Sequence, residues 1–120
     1  MTNVATVVDG SIAMWNETGA ERRREIIART WADDASYVDP MLEGDGPDGI
    51  DAMIAGAQAQ FPGHRFALAG ASDAHHDRVR FGWTLRPEAG GEPVAAGVDF
   101  ATLAPDGRLR TVTGFLEAAG

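Results

Sequence analysis

The sequence predicts an α+β domain in which three N-terminal helices pack on one face of a strongly curved, mainly antiparallel sheet. Two observations carry this. Up to about residue 61 apolar residues recur every three or four positions, as on one helix face, and from His64 onward they alternate, as on one strand face. The alternating runs are separated by loops rich in turn formers, Glu88-Ala89-Gly90-Gly91-Glu92-Pro93 and Ala104-Pro105-Asp106-Gly107.

Val4, Val8, Ile12 and Trp15 form the stripe of the first helix, which Asn16 to Gly19 terminates. Ile26, Ile27, Thr30 and Trp31 repeat the pattern after Glu21 and give the second. The run Arg22-Arg23-Arg24, flanked by Glu21 and Glu25, reads as its solvated face. A third helix covers about Asp48 to Gln60, with Ile50, Met53, Ile54, Ala57 and Phe61 on one stripe. Pro47 stands just ahead of it and Pro62-Gly63 closes it. Between the second and third helices, Ala35 to Asp39 is a brief strand stopped by Pro40, and Gly44-Asp45-Gly46-Pro47 is a loop. Four long strands follow: one through Phe66 and Leu68, one through Val79, Phe81, Trp83 and Leu85, then Val94 to Leu103 and Leu109 to Leu116. The Ala104–Gly107 segment fits a turn with Pro second and Gly fourth.

Composition narrows the functional classes. At 120 residues with 44% hydrophobic and 23% charged, the chain has the size and balance of one domain, 1–120. Its net charge is −8 and all ten basic residues are Arg, so phosphate backbones are repelled and nucleic acid is not an expected partner. The absence of cysteine excludes disulfides, thiol nucleophiles and zinc-thiolate sites. Met1 to Gly10 has no leader pattern and no run approaches the about 18 apolar residues of a membrane span, so no membrane is expected and the cytoplasm is the expected location.

Two carboxyls draw attention. Residues two apart on a strand share a face, so Tyr37 and Asp39 point the same way, with the phenol as a donor beside the carboxylate. The plainer alternative has Asp39 capping a turn ahead of Pro40 and facing water. Asp99 is the only ionisable group in Ala95–Leu103, on a face otherwise made of Ala95, Gly97, Ala101 and Leu103. Small neighbours leave room for a ligand, and burial favours the neutral, donating carboxyl. The alternative is an ion pair with Arg80 or Arg110 across the sheet. Trp15 and Trp83 are the aromatics expected to touch a ligand, joined in the pocket lining by Met53, Phe61, Phe81 and Leu116. Counting back along the strand from Val79 puts His75 and Asp77 on that same side, provided no bulge intervenes. His75 and His76 face opposite ways in regular β structure and so do not make a metal site. No Ser-His-Asp arrangement, phosphate-binding loop or dinucleotide fingerprint is present.

The stretch Trp31-Ala32-Asp33-Asp34-Ala35-Ser36-Tyr37-Val38-Asp39-Pro40, followed by a Gly-rich loop and a helix opening near Gly49-Ile50, resembles the signature region of the SnoaL-like and ketosteroid-isomerase-like families of the nuclear transport factor two-like superfamily. The resemblance implies a cone-shaped, cystatin-like α+β barrel around an apolar pocket for a small hydrophobic ligand. It makes Asp39 the general base and Asp99 a neutral acid that hydrogen-bonds a developing oxyanion, with no cofactor. The family's third group, a Tyr on the first helix, is missing: Ser11, Ile12 and Trp15 are the positions that align with it. The implied activities are an isomerase or cyclase working beside a carbonyl, with a ligand-binding or dimerisation module and epoxide-hydrolase-like water activation as alternatives. A homodimer is expected through the outer sheet face, where Val94, Val98 and Phe100 lie opposite Asp99.

Overall fold

The computed structural model describes residues 4–117. The helices are α1 (Val4–Asn16), α2 (Ala20–Thr30) and α3 (Gly46–Gln60). The strands are β1 (Trp31–Val38), β2 (Glu43–Asp45), β3 (His64–His75), β4 (Arg78–Pro87), β5 (Ala95–Leu103) and β6 (Leu109–Leu116). They form one sheet in the order β2-β1-β6-β5-β4-β3. Among the described residues the β1–β6 pair is parallel and the other pairs are antiparallel. Register breaks between Trp31 and Ser36, Ala69 and Asp73, and Thr102 and Leu103 bend the sheet so that its inner face wraps toward the helices without closing.

The core lies between that inner face and the three helical stripes. Ile27, Ile54, Phe81, Leu109 and Val112 are almost wholly buried in one core with Trp31, whose indole Nε1 points at Met14 Sδ, 2.9 Å away. The end of α1 is fixed to the sheet by Asn16, which treats Phe66 as a strand neighbour would. Its Nδ2 donates to Phe66 O (2.9 Å) and its Oδ1 accepts from Phe66 N (2.7 Å). That tie holds Trp15, the preceding residue, against β3. The Ala104–Gly107 turn closes with Gly107 N donating to Ala104 O at 2.8 Å. Among the described residues no helix is long and apolar enough to cross a membrane.

Three local expectations need correction. Trp31 does not extend the second helix but opens β1, which is eight residues long rather than a brief strand from Ala35. The segment Gly44–Pro47 is not a loop: β2 pairs antiparallel with β1 through Gly44 and Tyr37, and α3 starts at Gly46, with Pro47 in its first turn. The central Arg of the triplet is not solvated. Arg23 is buried, its Nε 2.6 Å from Asp51 Oδ1 on α3, and its Nη1 donates to Glu17 O and Gln58 Oε1. Gln58 Nε2 returns two bonds to the carbonyls of Trp15 and Glu17, so one polar knot joins all three helices. Arg22 and Arg24 do lie on the outer face, with Arg24 reaching Asp51 Oδ2 at 3.3 Å.

Candidate active site

Asp39 follows directly on β1, at a tight turn forced by Pro40. Its Oδ1 accepts from the amides of Met41 and Leu42, both at 2.8 Å, and its own amide donates to Leu42 O. These bonds belong to the turn. The other oxygen, Oδ2, faces inward and accepts the Tyr37 hydroxyl at 2.6 Å. Asp39 therefore combines the two geometries, one oxygen serving the turn and the other the Tyr37 hydroxyl.

Asp99 lies on the inner face of β5, opposite Phe81 on β4 and Gly114 on β6. Among the described residues it makes no ion pair: Arg80 pairs with Asp73 and Arg110 with Asp34, both on the surface. Its hydrogen-bond partner is the Trp83 indole, whose Nε1 donates to Oδ1 at 3.1 Å. Two glycines make this arrangement possible. A Cβ at Gly97 would stand 2.6 and 2.8 Å from Trp83 Cζ2 and Cε2, so only a glycine there lets the indole lie across β5. A Cβ at Gly114 would stand 3.0 Å from Asp39 Cβ and 3.1 Å from both Asp99 Oδ1 and Tyr37 Oη. Gly114 thus marks the point where the three polar side chains converge.

They converge on a cavity of about 180 Å³. One wall is a chain of aromatic rings in edge-on and tilted contact: Tyr37 to Trp15 at 5.6 Å, Trp15 to Phe66 at 5.2 Å, Phe66 to Trp83 at 5.5 Å. Ile12 and Leu85 add apolar surface, and Met41, Phe61 and Leu116 border it while remaining partly exposed.

The electrostatics follow from dryness. Burial pushes the Asp99 carboxyl up to about 7; the Trp83 donor pulls it down and the Asp39 charge pushes it further up. Burial likewise drives the Tyr37 phenol above its ordinary range, and the Asp99 charge and the bond to Asp39 add to this. Tyr37 is therefore a neutral donor at any physiological pH, and Asp99 exchanges its proton near neutrality.

Of the residues expected in the pocket, Trp15, Phe61, Trp83 and Leu116 border the cavity together with Tyr37, Asp39 and Asp99. Met53 and Phe81 do not: they are packed in the core, because the cavity occupies only one end of the inner face. His75 is also elsewhere, exposed at the tip of the β3–β4 hairpin: the chain turns at His76 and Asp77, so the alternation of β4 does not run on into β3, and His75 pairs with Arg78 while Ala74 pairs with Val79. Asp77 is exposed there too, paired with Arg78. The two imidazoles do not diverge as regular β structure requires. His76 has φ +53°, which ends the strand and leaves the Nδ1 atoms 3.1 Å apart. Among the described residues no group of three His, Asp or Glu is arranged to hold a metal. Phe66 enters the sequence analysis only as a strand marker and Gly114 not at all, while Gly97 enters only as a small neighbour of Asp99. The available signal was a glycine inside an alternating strand, which marks a close approach.

A family model described as SnoaL-like domain matches residues 4–112. Among solved structures, the chain is similar to a candidate isomerase of the SnoaL-like family from Agrobacterium tumefaciens str. C58. The identity is 43% over 95% of this chain and 97% of that one, with a TM-score of 0.90. A candidate polyketide cyclase from Sinorhizobium meliloti shares the fold at 17% identity and a TM-score of 0.69, over 90% and 92% of the two chains. So does a protein with a cystatin-like fold from Nostoc punctiforme, at 10% identity and a TM-score of 0.72, over 97% and 90%. No protein of curated function matches the sequence.

Proposed function

We propose, since the chain belongs to the SnoaL-like domain family, that its cavity is an acid–base site that moves a proton beside a carbonyl of a small apolar substrate, in an isomerase or cyclase reaction. The observation that carries this reading is the convergence of Asp39, Tyr37 and Asp99 on one apolar cavity around Gly114. Asp39 Oδ2 holds one donor, Tyr37, which leaves a lone pair to take a proton from carbon. The electron pair of that C–H bond moves to the carbonyl oxygen. Asp99, in its neutral form, donates to that oxygen as charge builds; because Trp83 occupies Oδ1, the acidic proton sits on Oδ2. Return of the proton from Asp39 to a different carbon completes an isomerisation; attack by the enolate carbon on a second carbonyl, whose oxygen then takes up the proton that Asp39 holds, completes a cyclisation. Neither outcome draws on a cofactor. The 43% identical candidate isomerase supports the class.

A second reading, a ligand-binding module without chemistry, is favoured by one observation. The α1 side chains at the cavity are Ile12 and Trp15, and the Tyr37 proton is already given to Asp39, so Asp99 has no phenolic partner for the oxyanion. Water activation of the Asp-Arg-Asp kind lacks support, because the described cavity lining includes no Arg.

The readings separate by NMR in D2O with a panel of cyclic enones and 1,3-diketones. The acid–base site catalyses loss of the α-proton signals, and Asp39→Asn or Asp99→Asn each slows it by about 100-fold or more, as loss of a general acid or base does. Chemical-shift changes of the protein without any exchange would leave the binding module.

A further inference from the structure

We propose that the ligand of this cavity is a neutral, oxygen-bearing molecule built on a single six-membered ring, seated against Trp15, Phe66 and Trp83, with an apolar tail that leaves past Met41, Phe61 and Leu116. The placement of its oxygen rests on the acid–base reading of the same site.

Size sets the ring count. An engineered apolar cavity of about 150 Å³ holds one benzene, and pockets for drug-sized molecules begin at about 300 Å³. At about 180 Å³ this cavity takes one ring and a few substituent atoms, and a fused tetracyclic skeleton does not fit inside it.

Charge sets the head group. The described lining has two carboxyls and no Arg or His, so an anionic ligand would be desolvated without a counter-charge. A cation fares little better. Asp39 already accepts three donors and Asp99 Oδ1 accepts a fourth, which leaves no carboxylate open on both oxygens. Inside the cavity the site still offers one acceptor position on Asp39 Oδ2 and one position on Asp99 Oδ2, and at its exposed border the uncharged amide of Gln60, which suits a neutral carbonyl, enol or phenol oxygen.

The mouth sets the tail. Met41 is 76%, Phe61 41% and Leu116 43% exposed, and all three border the cavity. They come from the β1–β2 turn, the end of α3 and the end of β6, so the apolar surface surrounds the opening and continues the cavity outward. A chain attached to the buried ring covers this rim as it leaves.

The test is a binding series read by tryptophan fluorescence at pH 6: phenol, 4-ethylphenol, 4-butylphenol and 4-hexylphenol, with benzoate and benzylamine as charged single rings and a tetracyclic steroid ketone as the large ligand. Affinity should rise by about two- to fourfold per added methylene, the lower figure because the rim stays partly wet. Benzoate and benzylamine should bind at least tenfold more weakly than phenol. The double variant Met41→Ser with Phe61→Ser should flatten the chain-length dependence to under twofold per methylene. The inference falls if either charged ring matches phenol, if affinity does not depend on chain length, or if the steroid binds more tightly than 4-hexylphenol. Binding requires no turnover. A series that behaves as stated while wild type exchanges no α-protons therefore sinks the acid–base reading alone, and proton exchange with a flat series sinks this inference alone.

Discussion

Gly114 on β6 faces Asp99 on β5, and the space where its side chain would be is bounded by Asp99 Oδ1, Tyr37 Oη and Asp39 Cβ, all within 3.1 Å of an ideal Cβ. Contacts of that length require the neighbours to give by a few tenths of an ångström, and the neighbours are the three polar groups themselves. Gly114→Ala should leave the fold intact at a cost of about 1–3 kcal/mol, the usual range for an inserted methyl. It should lower proton-exchange activity by about tenfold or more, since misplacement of catalytic groups by about 1 Å costs about 100-fold. Urea unfolding and the D2O exchange assay together check this; activity equal to wild type would show that the convergence point has no catalytic meaning.

Asp99 should make stability depend on pH in the direction opposite to a salt-bridged carboxylate. Its carboxyl is raised from 3.8 to about 7, with Trp83 and Asp39 as the neighbours that set the balance besides burial. Between those values the folded state holds a proton that the unfolded chain releases, so stability declines as pH rises from about 4 to about 7 and levels off above. A shift of this size corresponds to at most about 4 kcal/mol. Asp99→Asn removes that dependence. The variant should melt above wild type at pH 8, with the gap closing toward pH 5, measured by thermal denaturation across pH. A gap that stays constant or widens on acidification would contradict the burial argument.

Tyr37 is the only tyrosine in the chain, which makes its state directly readable. Because burial and the two carboxyls hold it neutral, the phenolate absorbance near 295 nm, the usual marker for an ionised phenol of ordinary value about 10, should be absent from the folded protein at pH 11. It should appear in full when the chain is unfolded in denaturant at the same pH. Ordinary titration in the folded protein would place Tyr37 in contact with water and dissolve the pairing with Asp39.

The sequence was informative wherever structure is periodic or local. Three helical stripes and four alternating strands were visible in the spacing of Val4 to Trp15, Ile50 to Phe61 and Val79 to Leu85, and the shared face of Tyr37 and Asp39 followed from strand alternation. What escaped depends on partners distant in the chain. Arg23 is buried because Asp51, 28 residues on, meets it, and a triplet of Arg has no local mark of that. Trp31 sits where helix and strand meet and fits either pattern. β2 is Glu43-Gly44-Asp45, with no apolar side chain, and is a strand only because β1 lies beside it. Parity along β4 correctly put Phe81 and Trp83 on one face, but only sheet curvature decides that Trp83 borders a cavity and Phe81 fills the core.

Removing Arg23 should be among the most damaging single changes away from the cavity. Deleting one partner of a buried ion pair typically costs about 3–5 kcal/mol. Arg24 still reaches Asp51 Oδ2, so the lower end is expected here. Arg23→Met should therefore lose about 3 kcal/mol in urea unfolding, and Arg23→Met with Asp51→Leu should recover most of it, because the uncompensated carboxylate is gone. Failure of the double variant to recover would mean that the bonds from Arg23 to Glu17 O and Gln58 Oε1 dominate.

The outer sheet face carries the expectation of a homodimer. Val98 pairs with Phe115 across β5 and β6, Phe100 follows on the same side, and the two phenylalanines are 40% and 59% exposed, with Val94 exposed at the strand entrance. An antiparallel sheet can leave one face to water, but large apolar rings grouped on that face favour a cover, and we propose that a second copy would supply it symmetrically. The face is remote in chemistry from the cavity, because Val98 and Phe100 point away from the side on which Asp99 lies. Light scattering should give twice the chain mass, and Phe115→Asp with Phe100→Asp should give the monomer mass while the phenol series keeps its order. A wild-type chain that stays monomeric at high concentration would leave this apolar face without the partner argued for it.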